Sequence, residues 1–293
     1  MRVAVFGAGA MGSFVGACLS RAADVTLIAR PAHARAVRRR GLRVEGLTRG
    51  VFHLDAATSP GAAVGADLVV LTTKAYDTRA AAAALARGGI PGTLLSLQNG
   101  LTNLPALEAA LPGATILGGT TTHGVTFVGP GVVRHAGRGD LVVGTARGPS
   151  SAARRVARLF NASGLPCRTT TRLQAVLWRK AVVNAAINPV TACLGIQNGR
   201  VLDSAESRLV CRMAALEAAA VARAEGAPVG EPWAEVRRVL TATAPNRSSM
   251  LQDIEAGRPT EIDAITGEVV RAARRHGIAV PVNAGLLRAV RAL

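Results

Sequence analysis

The chain opens on RVAVFGAGAMG, an apolar run ending in Gly7-Ala8-Gly9-Ala10-Met11-Gly12. No other stretch restricts the fold as strongly. A lone GxGxxG is a weak signal. Here it follows a buried strand and opens a helix within a βαβ unit, so it reads as a dinucleotide-binding turn. The first glycine permits the tight turn, the second lets backbone approach a pyrophosphate, and the third lets helix and strand pack closely. The helix that follows, about Met11 to Arg21, offers N–H groups and a positive dipole end to phosphate. The six residues Gly7, Ala8, Gly9, Ala10, Met11 and Gly12 are the expected cradle. Their spacing explains this apolar N-terminal stretch better than a secretory leader does.

The rhythm of the first half agrees. DVTLIAR, ADLVVLTTK and TLLSLQNG read as core strands, alternating with helical patterns at PAHARAVRRRG and DTRAAAAALARGG. LRVEG and GVFHLDA read as an inserted hairpin. This βαβ alternation implies a parallel sheet with helices on both faces. From Leu117 to Thr145 the runs LGGTTTHGVTF, GVVRHAG and DLVVGTA read as antiparallel strands. One helix follows Ser150, then GLPCRTT as an edge strand. Beyond Thr171 only helical patterns remain, at about 173–195, 203–226, 232–243 and 261–276. The expected class is α/β: a Rossmann-type dinucleotide-binding domain over 1–168, followed by an all-helical domain over 169–293.

The end of the second strand bears on the cofactor. NAD sites usually carry an acid about 20 residues beyond the glycines, bonding the ribose 2′-hydroxyl. Residues 28 to 44 contain no acid, and Arg30 stands where it would be. A guanidinium binds a 2′-phosphate bidentately where a carboxylate repels it, which predicts NADP(H). Arg30 also fits a solvated strand end. Lys74 and Asn99 follow the third and fourth core strands, at the carboxyl edge where open α/β sheets bind ligands. Asn99-Gly100 also fits a plain turn.

In LWRKAVVNAAINPVTA, Lys180, Asn184 and Asn188 recur every four residues and share one helix face among Ala, Val and Ile. Pro189 is expected to kink the helix beside that stripe. Lys180 is notable because, of 35 basic residues, only Lys74 and Lys180 are lysine. The same pattern also fits asparagines bonded to their own backbone and a lysine reaching solvent.

This helix, with QNG at 197–199, NRSSMLQDI at 246–254, TEID at 260–263 and the TTK and TTTHG segments, resembles the ketopantoate reductase family over nearly the whole chain. The resemblance implies NADPH-dependent reduction of 2-dehydropantoate to (R)-pantoate in pantothenate and coenzyme A biosynthesis, in a cleft. It implies Lys180 as catalytic general acid with Glu261 as its acidic partner. It implies substrate contacts from Lys180, Asn184, Asn188, Asn198 and Ser249. It implies cofactor contacts from Gly7–Gly12, Arg30, Lys74, Asn99 and Glu261. Gln98 receives no role. Glu261 also fits a first-turn helix acid stabilised by the dipole. A reductase of another 2-oxo acid on the same fold is the alternative. A non-catalytic NADP-sensing protein is disfavoured, because the lysine helix and TEID are intact.

Composition narrows the rest. With 49% apolar residues the 293-residue chain can build a core, and disorder is excluded. The net charge of +17 raises nucleic-acid binding, yet aromatics are 3% and no recognition module is present, so none is expected. Cys18, Cys167, Cys193 and Cys211 are scattered without a CxxC pair. The five histidines are not spaced as a metal site, and His123 reads as structural, so no metal is expected. No uninterrupted apolar run of ~18 residues stands out as a span. A cytoplasmic monomer or homodimer acting on a small 2-oxo acid is the expectation.

Overall fold

The computed structural model describes residues 1–89, 92–145 and 150–293. The elements run β1 (Arg2–Phe6), α1 (Ala10–Leu19), β2 (Asp24–Ile28), α2 (Pro31–Arg40), β3 (Leu42–Gly46), β4 (Gly50–Phe52) and β5 (Asp55–Ala57). Next come β6 (Leu68–Leu71), α3 (Thr78–Arg87), β7 (Thr93–Ser96), α4 (Asn103–Ala110) and β8 (Thr115–Thr121). Then follow β9 (Gly124–Gly129), β10 (Val132–Gly137), β11 (Leu141–Gly144), α5 (Ser151–Ala162) and β12 (Cys167–Thr170). Helices complete the chain: α6 (Leu173–Leu194), α7 (Ala205–Ala224), α8 (Pro232–Ala242), α9 (Ser249–Glu255), α10 (Thr266–Arg275) and α11 (Pro281–Arg291). Internal contacts divide the chain into two compact units. One is Met1–Gln98 with Asn103–Leu173; the other is Asn99–Thr102 with Gln174–Leu293.

In the first unit the described strands form an eight-stranded sheet ordered β12-β11-β8-β7-β6-β1-β2-β5. Only β11 against β8 is antiparallel. The chain winds outward from β1 to β2, then restarts at β6 on the other side of β1. This makes the β1/β6 gap the switch point of a doubly wound sheet. Alternate residues feed opposite faces, as the period of a strand requires. Val3 and Val5 join Phe14, Leu27 and Phe160 in one core; Ala4 joins Leu71, Leu85 and Leu107 in the other. A second sheet, β4-β3-β10-β9, contains the expected hairpin as β3/β4, but GVFHLDA is split: its end crosses to the main sheet, where β5 pairs with β2. The run LGGTTTHGVTF breaks after Thr121: β8 pairs antiparallel with β11, as expected, and parallel with β7, while β9 pairs antiparallel with β10 in the small sheet.

The second unit is helical and its core is built on small residues. Ala185 and Ala186 of α6, Ala214, Ala215, Ala218 and Ala219 of α7, and Ala272 and Ala273 of α10 are all buried. Alanine keeps high helix propensity while allowing backbones to approach. Trp178 and Leu240 supply bulk. Helices α9 and α11 were not marked by periodicity. The first is short and starts on a Ser248 cap, and the second starts on Pro281. No described helix is long and apolar enough to cross a membrane.

Three histidines of the first unit are held neutral by burial. His33 Nδ1 accepts from Gly131 N–H at 2.9 Å, which leaves Nε2 to donate to Ser13 Oγ at 2.9 Å. Thr48 Oγ1 and the Gly137 carbonyl, each at 2.9 Å, similarly fix His135, whose Nε2 also lies 3.1 Å from His123 Nδ1. Burial lowers the pKa of all three rings below 6.5. The unfolded chain therefore binds more protons than the folded one as pH falls through about 6.5, and stability falls with it. Thermal unfolding between about pH 8 and 5.5 should show Tm dropping on the acid side, with a shallower drop in His33→Asn.

Candidate active site

The carboxyl edge of the first unit's sheet collects three of the expected groups. Phe6 of β1 pairs with Ile28 of β2 and with Leu71 of β6, so the loops after these strands emerge side by side. Gly7 has φ +94 and its N–H donates to Ile28 O at 3.0 Å. A Cβ there would stand 2.5 Å from Thr73 Cγ2 and 2.6 Å from Thr73 N. A Cβ on Gly12 would overlap Thr72 Oγ1, whose hydroxyl donates to Gly7 O at 3.0 Å. Two glycines are thus required by the protein's own packing.

Gly9 is different. A Cβ there would meet only Gly7 O, at 3.9 Å. It caps α1 without any side-chain hydrogen bond, so the first-turn N–H groups of α1 lack a side-chain acceptor. An open surface over backbone donors at a dipole's positive end is what a pyrophosphate needs. The residues therefore fit a dinucleotide. Arg30 is exposed at the N-cap of α2 with Pro31 behind it, and Lys74 is half-buried in extended conformation after β6.

The second unit assembles the other groups. Lys180 lies on α6, half-buried, with Asn184 one turn on and Asn188 buried another turn on. The helix continues through Pro189 to Leu194, so the proline is accommodated without ending it. Burial pulls the Lys180 ammonium down to about 8, and the Glu261 carboxylate works against that shift. Glu261 is 6% exposed and accepts from Asn99 Nδ2 at 3.2 Å. It is not a first-turn helix acid. It lies in a turn ahead of α10, closed by Ala264 N–H and Ile265 N–H on Glu261 O, and the first-turn acid is Glu268. Gly100 and Leu101 bind this turn closely: Leu101 N–H donates to Ala264 O at 3.3 Å, and a Cβ on Gly100 would fall 2.9 Å from that oxygen.

Asn198 is buried, donates from Nδ2 to Thr243 Oγ1 at 2.8 Å, and keeps a buried Oδ1 with no partner. Ser249 is exposed at the start of α9. Its neighbour Ser248, buried, accepts from Leu251 N–H and lies 2.7 Å from Thr191 Oγ1. The residue most clearly passed over in the sequence is Gln98, 6% exposed and bonded through its whole carboxamide.

A dinucleotide turn on a doubly wound sheet and a lysine–carboxylate pair in a helical unit are the parts of an oxidoreductase that acts on a CH–OH group. That is the class of this chain. The family description "Ketopantoate reductase PanE/ApbA" matches residues 3–148, and "Ketopantoate reductase PanE/ApbA C terminal" matches residues 172–293. A 2-dehydropantoate 2-reductase of Halobacterium salinarum is 42% identical over 298 residues, covering 99% of this chain and 98% of its own. One from Archaeoglobus fulgidus is 39% identical, covering 99% and 97%. The crystal structure of a PanE/ApbA family ketopantoate reductase from Ralstonia eutropha superposes with TM-score 0.93 at 35% identity, covering 100% and 98%. A D-mandelate dehydrogenase with NADH and anilino(oxo)acetate gives 0.92 at 26%, covering 100% and 97%. The chain belongs to the ketopantoate reductase family.

Gly9→Ala and Gly7→Ala separate packing from ligand space. Gly9→Ala should hold Tm within a few degrees and lose dinucleotide binding at least tenfold. Gly7→Ala should lower Tm clearly, because it adds both a clash and a strained φ. Thermal unfolding beside a fluorescence titration with NADPH reads both.

Proposed function

We propose that this enzyme reduces 2-dehydropantoate to (R)-pantoate with NADPH, serving pantothenate and coenzyme A synthesis. Residues 1–168 hold the dinucleotide, and residues 169–293 present the general acid. The observation that carries the reading is Lys180, with its pKa drawn to about 8 by burial while Glu261 opposes. The nicotinamide, when bound, supplies the hydride. The protein's own part begins with charge: reduction at C2 of a 2-oxo acid leaves an oxyanion. The Lys180 ammonium stabilises that charge and gives its Nζ proton to the oxygen. A pKa near 8 keeps the group protonated at neutral pH while leaving the proton transferable. Glu261, held by Asn99, orients the ammonium and keeps its pKa from falling further. Asn184, Asn188, Asn198 and Ser249 offer donors and acceptors to the hydroxyl and carboxylate.

A second reading has one specific support. The D-mandelate dehydrogenase neighbour carries NADH and an anilino(oxo)acetate, so a different 2-oxo acid is compatible with this fold. An NADPH oxidation assay with ketopantoate beside a panel of 2-oxo acids decides between them. The highest kcat/KM on another acid would retire the first reading.

Two predictions test the residues. The reduction rate should fall as pH rises through about 8, where Lys180 loses its proton. Because Glu261 raises that pKa, Glu261→Gln should move the descending limb to lower pH. Lys180→Arg should cost ~10²-fold or more in kcat, the scale of a lost general acid. Near-normal turnover by Lys180→Arg would exclude Lys180 as the acid.

Arg30 governs cofactor choice in this reading. Wild type should prefer NADPH, and Arg30→Ala should raise KM for NADPH roughly tenfold, the size of one charge-assisted contact, with little change for NADH. Steady-state KM measurements with both cofactors check it, and a wild type that prefers NADH would reverse the assignment.

A further inference from the structure

Gln98 follows β7 and is buried at 6% exposure. Every polar atom of its side chain is engaged. Ser96 Oγ donates to Oε1 at 2.9 Å, which fixes the orientation of the amide. Nε2 then donates to Thr78 Oγ1 at 2.8 Å. It also reaches Thr73 O and Thr73 Oγ1, both at 3.1 Å, and Lys74 O at 3.4 Å. Thr78 Oγ1 passes its own proton to Asn103 Oδ1 at 2.8 Å, so it is committed as an acceptor toward Gln98. The relay therefore has one direction, from Ser96 through Gln98 and Thr78 to Asn103.

The segment held this way is the one against the glycine turn. Thr73 is the residue that a Cβ on Gly7 would strike, and Thr72 Oγ1 donates to Gly7 O. Lys74 O also accepts from Asp77 N–H at 2.9 Å, which starts the short turn leading into α3. One buried amide thus holds the Thr73 carbonyl and reaches that of Lys74, which the Asp77 N–H also binds. A carboxamide is the group for this. A carboxylate in its place would face the carbonyl oxygens of Thr73 and Lys74 with no proton to offer. A thioether would fill the volume and bond to nothing.

We propose that Gln98 is a positioning residue of the dinucleotide site: it fixes the Thr73–Lys74 segment against the glycine turn, so that Lys74 is pre-set for the bound dinucleotide. The inference rests on the dinucleotide reading above. Pre-ordering a binding loop lowers the entropy lost when ligand arrives, so the effect belongs to binding affinity.

The test is a double-mutant cycle on the full-length protein, read as Kd for NADPH by fluorescence titration beside Tm. Gln98→Met removes the hydrogen bonds at nearly constant volume; Gln98→Glu reverses their polarity. Each is combined with Lys74→Ala. Each Gln98 variant alone should weaken NADPH binding on the order of tenfold, the loss of one or two buried hydrogen bonds. In the Lys74→Ala background the same change should shrink to about twofold or less, because coupled residues are not additive. A residue that only supports the core would lower Tm and act additively with Lys74→Ala. Additive effects, or wild-type affinity in both Gln98 variants, overturn the inference. If Gln98→Glu does not fold, Gln98→Met carries the same test, free of added charge. Wild-type protein that does not bind NADPH overturns the dinucleotide reading and this inference with it. Binding that survives loss of Gln98 overturns this inference alone.

Discussion

The backbone approach between Gly7 and Thr73 is the constraint on which the first unit's site depends. There is no room for a side chain at Gly7, because Thr73 N and Cγ2 occupy it. That proximity follows from the strand order. β1 and β6 are hydrogen-bonded neighbours, yet the chain leaves β1 toward β2 and returns at β6, so their carboxyl ends open a crevice. A longer side chain at either glycine would push the two loops apart and misplace the α1 donors. Thr72 draws them together through its bond to Gly7 O. The backbone N–H groups stay unspent because Gly9, the one glycine of the three with space above it, caps the helix with no side chain.

In the second unit the corresponding constraint is electrostatic. A lysine removed from water tends to lose its proton. The Glu261 carboxylate opposes that tendency, and the Lys180 value of about 8 is the balance. The Asn99 amide enters through Glu261: by donating to one carboxylate oxygen it fixes the direction of that carboxylate. Neighbouring residues of one loop thus do separate work. Gln98 bonds within the first unit and Asn99 within the second.

Much of this was legible in the sequence, for reasons that differ by element. The glycine turn, the parallel strands and the long helices announce themselves because spacing and burial are local and periodic. Position 261 was read correctly as an acid beside a helix start but wrongly as part of that helix. Thr-Glu-Ile-Asp looks like a capped first turn, and only the carbonyl of Glu261, spent on Ala264 and Ile265, shows that a separate turn precedes α10. The break after Thr121 went unmarked because alternation does not say which sheet a strand joins. Gln98 was invisible for another reason. Its partners at 73, 74 and 78 lie more than 19 residues away, and a glutamine in a QNG turn carries no periodic signal. The Ser96 hydroxyl two residues before it was the only local hint.

Arginine supplies nearly all the positive charge here, and a guanidinium is the better group where charge or a bidentate contact suffices. It fails where a proton must leave, because its pKa stays above about 12 in any environment. Lys180 sits where burial brings an ammonium to about 8. The same burial applied to a guanidinium would leave it charged and inert as an acid. The Lys74 carbonyl is held by Gln98 and by the Asp77 N–H, which fixes its backbone in the half-buried loop. Substituting arginine for Lys180 preserves the net charge of the chain and, in the proposed mechanism, removes the transferable proton.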